Sequence, residues 1–129
     1  MREAWQGFYN LAMSKKERDL IRDFGERFLG LPGVEAIVTN SDYEVVWVNQ
    51  AAESWAGPLE KVRGKKCYKE LGKVDSPHAD CRMPEVLATG KPFFDLREDG
   101  ESRYIICMVK IDDEHVGHVA INLDRMSGK

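Results

Sequence analysis

Residues 103–111 read Arg-Tyr-Ile-Ile-Cys-Met-Val-Lys-Ile, an extended-chain pattern that is apolar on both of its faces. Successive side chains of a strand point to opposite sides of the sheet. Tyr104, Ile106 and Met108 therefore share one face, and Ile105, Cys107, Val109 and Ile111 share the other. An antiparallel strand that is apolar on both sides must be covered on both. One face is expected to line a core or a pocket. The other calls for a cover from the N-terminal arm or from a second subunit.

The rest of the chain supplies both candidates. Before residue 34 the apolar period is helical. Trp5, Phe8, Tyr9 and Ala12 recur at helical spacing. A second helix starts at Ser14, where Ser14 and Glu17 form a capping box. Leu20, Ile21, Phe24, Phe28 and Leu29 build its apolar stripe, with Lys15, Arg18, Arg22 and Glu26 opposite. Gly30-Leu31-Pro32-Gly33 ends it. The stripe fits packing on the chain's own body or a homodimer contact equally well.

From Val34 the period becomes two. Residues 34–39 and 44–48 read as a hairpin across Asn40-Ser41-Asp42. Asn49 caps a short helix through Trp55 that stops at Gly57-Pro58. Residues 59–79 read as short helical turns. Residues 84–89 form a helix with Pro84 in its first turn and Gly90 closing it. Strands 92–97, 103–111 and 115–123 follow, joined by turns at Asp99-Gly100 and Asp112-Asp113. In the last strand Val119, Ile121 and Leu123 share a face, with His118, Ala120 and Asn122 opposite.

A chain of 129 residues is one domain with one core. Its net charge of -3 leaves no basic footprint for direct nucleic-acid binding. No apolar run reaches the ~20 residues that span a bilayer. Polar residues stand where a secretory h-region would be. Three unevenly spaced cysteines make no disulfide framework, so a reducing, cytoplasmic setting is expected. Nucleotide-loop, Gly-x-Ser-x-Gly and His-Glu-x-x-His signatures are absent, and no enzymatic role is expected.

The order of hairpin, short helices and three-stranded meander resembles the PAS fold over residues 34–123. Its specific parts are the Asp42 turn with Trp47-Val48-Asn49-Gln50-Ala51-Ala52, Gly57, the Thr89-Gly90-Lys91 step, and the final strand from Gly117 to Asp124. The resemblance implies an α+β domain, a five-stranded antiparallel sheet with short helices on one face and an N-terminal helical arm. The arm would be residues 1–31, the sensor 32–124, and 125–129 a tail or linker to an output segment. It also implies a ligand pocket lined by Trp47, Trp55, Tyr68, Leu71, Met83, Leu87, Phe94, Ile106, Met108 and Ile121.

Cys67, His78 and Cys81 are the distinctive constellation. His78 and Cys81 have the two-residue gap of metal knuckles, and Cys67 lies ten residues upstream. Thiolate and imidazole favour zinc or an iron–sulfur cluster. The segment is similar to a cysteine-bearing subset of PAS domains with Cys-Tyr and then Cys-x-x-Cys-Pro. Here His78 replaces one cysteine, and Met83 separates Cys81 from Pro84. Buried structural thiols, a metal site and a Cys67–Cys81 redox pair all remain open. Cys107, mid-strand, is expected in the core. Gly64-Lys65-Lys66-Cys67 resembles the photoactive segment of light-sensing members, but Lys66, Tyr68, Lys69 and Gly72 replace the residues that hold flavin. Residues 84–89 lack the histidine of haem-binding members. Neither cofactor is expected.

These expectations add up to a signalling module that senses a small ligand, a metal or redox state. It would dimerise through its N-terminal helix or serve a kinase or transcription-regulator output. The competing reading is an interaction module with a dry core. A small enzyme using an activated Cys67 or Cys81 is a third.

Overall fold

The computed structural model describes residues 13–126. The helical spacing of Trp5, Phe8, Tyr9 and Ala12, and the tail residues 127–129, lie outside the described residues. Helix α1 spans Lys15–Phe28, with the Ser14–Glu17 capping box formed in both directions. None of its residues is buried. Leu20, Ile21 and Phe24 are 59%, 43% and 71% exposed, so among the described residues the stripe is not packed on the domain. An isolated helix of this length is marginal in water. Its apolar side is therefore an unused surface.

The body alternates as its patterning requires. Strands β1 (Val34–Asn40) and β2 (Val45–Val48) form the first hairpin. Helices α2 (Gln50–Ala56), α3 (Leu59–Val62), α4 (Cys67–Glu70) and α5 (Met83–Thr89) follow. Strands β3 (Phe93–Asp99), β4 (Ser102–Asp112) and β5 (His115–Asn122) complete an antiparallel sheet of order β2-β1-β5-β4-β3. Pairing β1 with β5 brings the first and last strands together at the centre. The expected final strand ends one residue early. Leu123 instead starts a single turn, α6 (Leu123–Met126), because Asn122 Oδ1 accepts from the N–H groups of Asp124 and Arg125.

The helices cover one face of the sheet, here called inner. Two clusters fill the contact. Ile37, Val45, Val48, Ala52, Ala56 and Val62 form one, and Met83, Val86 and Val116 the other. On the opposite, outer face the β3–β4 part is open among the described residues. Phe94, Leu96, Val109 and Ile111 are between 46% and 65% exposed. Cys107 belongs to this face, paired with Val119 and half-buried, and not to the core as expected. Alternation placed it correctly beside Val109, but α1 does not bury that side.

One side chain ties arm, sheet and helices. Asn49 is 4% exposed. Its Nδ2 donates to the Leu29 carbonyl at 2.8 Å and the Val34 carbonyl at 2.7 Å. Its Oδ1 accepts from Ala36 N and Ala52 N, both at 3.0 Å. The second of these caps α2. Nearby, Gly33 has φ +86°, and a Cβ there would meet Asn122 O and Arg125 Cβ at 3.0 Å, so the arm can enter the sheet only through glycine.

Replacing Asn49 strands several buried backbone groups at once. Asn49→Ala is expected to cost about 2–4 kcal/mol in urea unfolding. Asn49→Asp keeps both accepted bonds but aims a carboxylate oxygen at two carbonyls, so it should cost at least as much. A loss below about 1 kcal/mol in both variants would contradict this account.

Candidate functional site

Between the inner sheet face and the short helices lies a cavity of about 360 Å³. That is at the lower end of the range for small-molecule sites, ~300–1,000 Å³. Sheet register builds its floor. Glu35 pairs with Ala120, Ile37 with His118 and Thr39 with Val116, so these side chains share the inner face. Ile106 opposite Ala120 and Met108 opposite His118 extend that face onto β4. Trp55 on α2, Cys67 and Tyr68 on α4, and Leu71, Pro77, His78 and Cys81 from the following segment form the roof. Tyr43 closes one side, and Arg97 on β3 also lines the cavity.

Trp55, Tyr68, Leu71, Ile106 and Met108 line the cavity as expected from the sequence. Trp47, Phe94 and Ile121 do not. They pair with Val38, Cys107 and Val34 respectively, which puts all three on the outer face. Met83 and Leu87 pack in the core cluster beside the cavity and are not part of its wall. Sequence reasoning missed Glu35, Ile37, Thr39, Tyr43, Arg97, His118 and Ala120. Their signal is parity with Ile106 and Met108, which becomes usable only once the cross-strand register is known.

The polar groups of the floor are few and specifically held. Glu35 is 9% exposed and accepts a hydrogen bond from Trp55 Nε1 at 2.9 Å. His118 Nε2 lies 2.8 Å from Thr39 Oγ1, which is 3.3 Å from Met83 Sδ. His118 is partly buried and lines the cavity. Burial lowers its pKa to about 4. Tyr43 packs edge-on against Tyr68, with ring centres 6.0 Å apart. It does so from a left-handed backbone, φ 65°, a conformation that costs a non-glycine residue energy and recurs at functional sites. Its turn is fixed by Asn40 Oδ1, which accepts from Asp42 N and Glu44 N. Gly72 leaves room for His78, because a Cβ there would come within 2.9 Å of the imidazole Nε2.

Cys67, His78 and Cys81 do share one cavity wall. They do not converge into a metal site. Among the described residues no group of three His, Cys, Asp or Glu side chains could hold a metal ion. The zinc or iron–sulfur expectation does not fit this geometry. Cys67 packs against the Ile37–Val48 cluster and Cys81 against the Met83–Val116 cluster. Burial raises the Cys67 pKa, and a charge on Cys81 would raise it further; backbone N–H groups and Lys66 oppose this in part. Burial raises the Tyr43 pKa as well, followed by the charges of Cys81, Cys67 and Tyr68. The cavity disfavours added negative charge.

A sheet of this order, with short helices and a cavity over one face, defines an α+β architecture. The model of the family described as "PAS fold" matches residues 31–124, and the chain belongs to that family. Among solved structures it is similar to a sensory box sensor histidine kinase from Vibrio cholerae, at TM-score 0.60 and 15% identity over 86% of this chain and 98% of that one. A domain of an HTR-like protein from Haloarcula marismortui is similar at TM-score 0.56 and 13% identity, covering 70% and 98%. The PAS domain of Bordetella pertussis BvgS is similar at TM-score 0.52 and 12% identity, covering 87% and 93%. At such identities the likeness is one of fold. No curated protein matches the chain. Among the described residues no helix is long and apolar enough to cross a membrane.

Two outcomes follow from the cavity's electrostatics. The folded His118 pKa of about 4 lies below the ordinary 6.5, so the unfolded chain binds its proton first. This contribution to stability is complete above about pH 6.5 and is lost as pH falls towards 4. Urea unfolding should show the wild type losing about 1–3 kcal/mol more than His118→Asn across that window. Parallel pH profiles would contradict a buried neutral imidazole. In a Cys81→Ser, Cys107→Ser background, Cys67 should react with a disulfide reagent at pH 7 more slowly than an unperturbed thiol. A faster, thiolate-like rate would overturn its assignment as a protonated buried group.

Proposed function

We propose that this chain is the sensing part of a signalling protein, in which a small molecule occupying the inner cavity changes how the outer sheet face meets a partner. The observation that carries this reading is the division of the sheet. The same strands place Ile106, Met108, His118 and Ala120 against the cavity and Ile105, Cys107 and Val109 on the other, apolar face. Occupation of the cavity would favour one arrangement of those strands, and the partner would respond to that shift in population. The role is regulatory, with the chemistry left to an output segment. The sensor histidine kinase similar in fold supports a kinase as that output; a transcription regulator is the alternative.

The outer face and the α1 stripe are two unpartnered apolar surfaces on one chain, which supports a homodimer in which α1 of each copy covers apolar surface of the other. Three free thiols fit a reducing, cytoplasmic setting. The raised Cys67 pKa speaks for small-molecule sensing over a fast thiol switch.

An NMR screen of small organic fragments tests the cavity. Binders should move the amide signals of residues 35–39, 106–108 and 118–120. Ala120→Phe, which fills the cavity from the floor, should stay folded and lose the response. Fragments that bind only the outer face, or a screen with no binder, would favour a dry interaction module. For the dimer, sedimentation velocity should show self-association that Phe24→Glu or Phe94→Glu weakens by roughly tenfold or more. A monomer at high concentration would remove the homodimer.

A further inference from the structure

The carboxylate on the cavity floor is Glu35. A carboxylate offers about four acceptor positions. Among the described residues Glu35 uses one, with Oε1 accepting from Trp55 Nε1 at 2.9 Å, while Oε2 makes no hydrogen bond within the protein and keeps accessible surface. No Lys or Arg among the described residues forms an ion pair with it. The guanidinium that also lines the cavity, Arg97, stands on β3, three strands away in the order β1-β5-β4-β3. It is already bonded to Asp95 at 3.0 Å. Oε2 thus offers open acceptor positions that a donor group on a ligand can take.

The surroundings fit one kind of completion. Trp55, Tyr43 and Tyr68 bring aromatic rings to the same cavity. Aromatic faces attract cations, and they do so at exposed rings as well, which covers the half-exposed Trp55. Ile37, Ile106 and Ala120 supply an apolar bed beside Glu35. His118, diagonal to Glu35 across the β1–β5 pair, has Nε2 committed to Thr39 and brings no second carboxylate. We propose that the cavity recognises a small organic ammonium ion with an apolar or aromatic body, its N–H group donating to Glu35 Oε2 beside the Trp55 indole.

This inference rests on the cavity being a ligand site, and adds the ligand's charge and class. A carboxylate ligand would instead meet Glu35 as a like charge, and a purely apolar one would leave Oε2 unpaired. The group at stake is an acceptor, so the discriminating change is Glu35→Gln. The amide keeps the shape and an oxygen for the Trp55 bond while removing the charge.

Three probes share one body and differ in charge: phenethylammonium, 2-phenylethanol and phenylacetate. Titration calorimetry with wild type and Glu35→Gln tests them. Wild type should bind phenethylammonium roughly tenfold or more tighter than 2-phenylethanol, as a charge-assisted hydrogen bond demands, with phenylacetate weakest. Glu35→Gln should abolish the preference for the ammonium and leave 2-phenylethanol unchanged. Phenylacetate binding best, or an ammonium preference that survives in Glu35→Gln, would overturn the proposal. Equal binding of ammonium and alcohol by wild type would overturn the ligand class while leaving the cavity as a ligand site. Absence of binding by all three would overturn the ammonium proposal, with the fragment screen then deciding whether the cavity takes any ligand.

Discussion

The amide of Asn49 makes four hydrogen bonds to four different backbone groups, and the rest of the structure is hung from them. Two hold the end of α1 and the start of β1, one holds Ala36 further along β1, and one starts α2. Without that side chain the arm would have no fixed exit from the body, and α2 no fixed entry. The position of α2 matters because it carries Trp55 to the cavity and to Glu35. A buried amide that uses both donors and both acceptor positions leaves no alternative geometry of equal energy. Asn122 does similar work at the other terminus, tying the Gly33 carbonyl through its backbone N–H and capping the last turn through Oδ1.

From that fixed junction the sheet acquires two unlike faces. The inner face is mostly packed, yet it opens into a cavity where Glu35, Thr39 and His118 are the polar exceptions on an apolar floor. The outer face is apolar and open, and its strands are the same strands. Period-two alternation makes this inevitable: whatever displaces Ile106 or His118 must move the backbone that carries Ile105, Cys107 or Val119. In the proposed sensor, signal transfer would need no separate pathway beyond the thickness of one sheet.

Much of this was legible in the sequence because it rests on local rules. The Ser14–Glu17 box, the Asn49 cap, the Gly90 stop and the turn at Asn40 each declare themselves within a few residues. The family resemblance, read from the element order, the Asp42 turn with residues 47–52, Gly57, the Thr89-Gly90-Lys91 step and the last strand, was correct. The two apolar faces of residues 103–111 were also legible, since alternation needs no partner. What failed needed register. Trp47, Phe94 and Ile121 are large and apolar, and so looked like pocket residues, but the odd or even position that sends them outward depends on pairing with β1 and β4. Glu35 and His118 were overlooked for the complementary reason: a charged and a titratable residue are poor pocket candidates until their neighbours show that they are buried. The spacing of Cys67, His78 and Cys81 suggested a metal; they share one cavity wall, but among the described residues they make no group that could hold one.

The central claim is that the two faces are coupled, so that filling the inner cavity changes association through the outer face. The most direct measurement compares the dimer dissociation constant of wild type with that of Ala120→Phe by sedimentation velocity, since the phenyl ring mimics an occupied cavity without touching the outer surface. The account predicts a change of several-fold at equal fold stability, about 1 kcal/mol of coupling. Identical constants for the two proteins would show that the faces act independently and would contradict it.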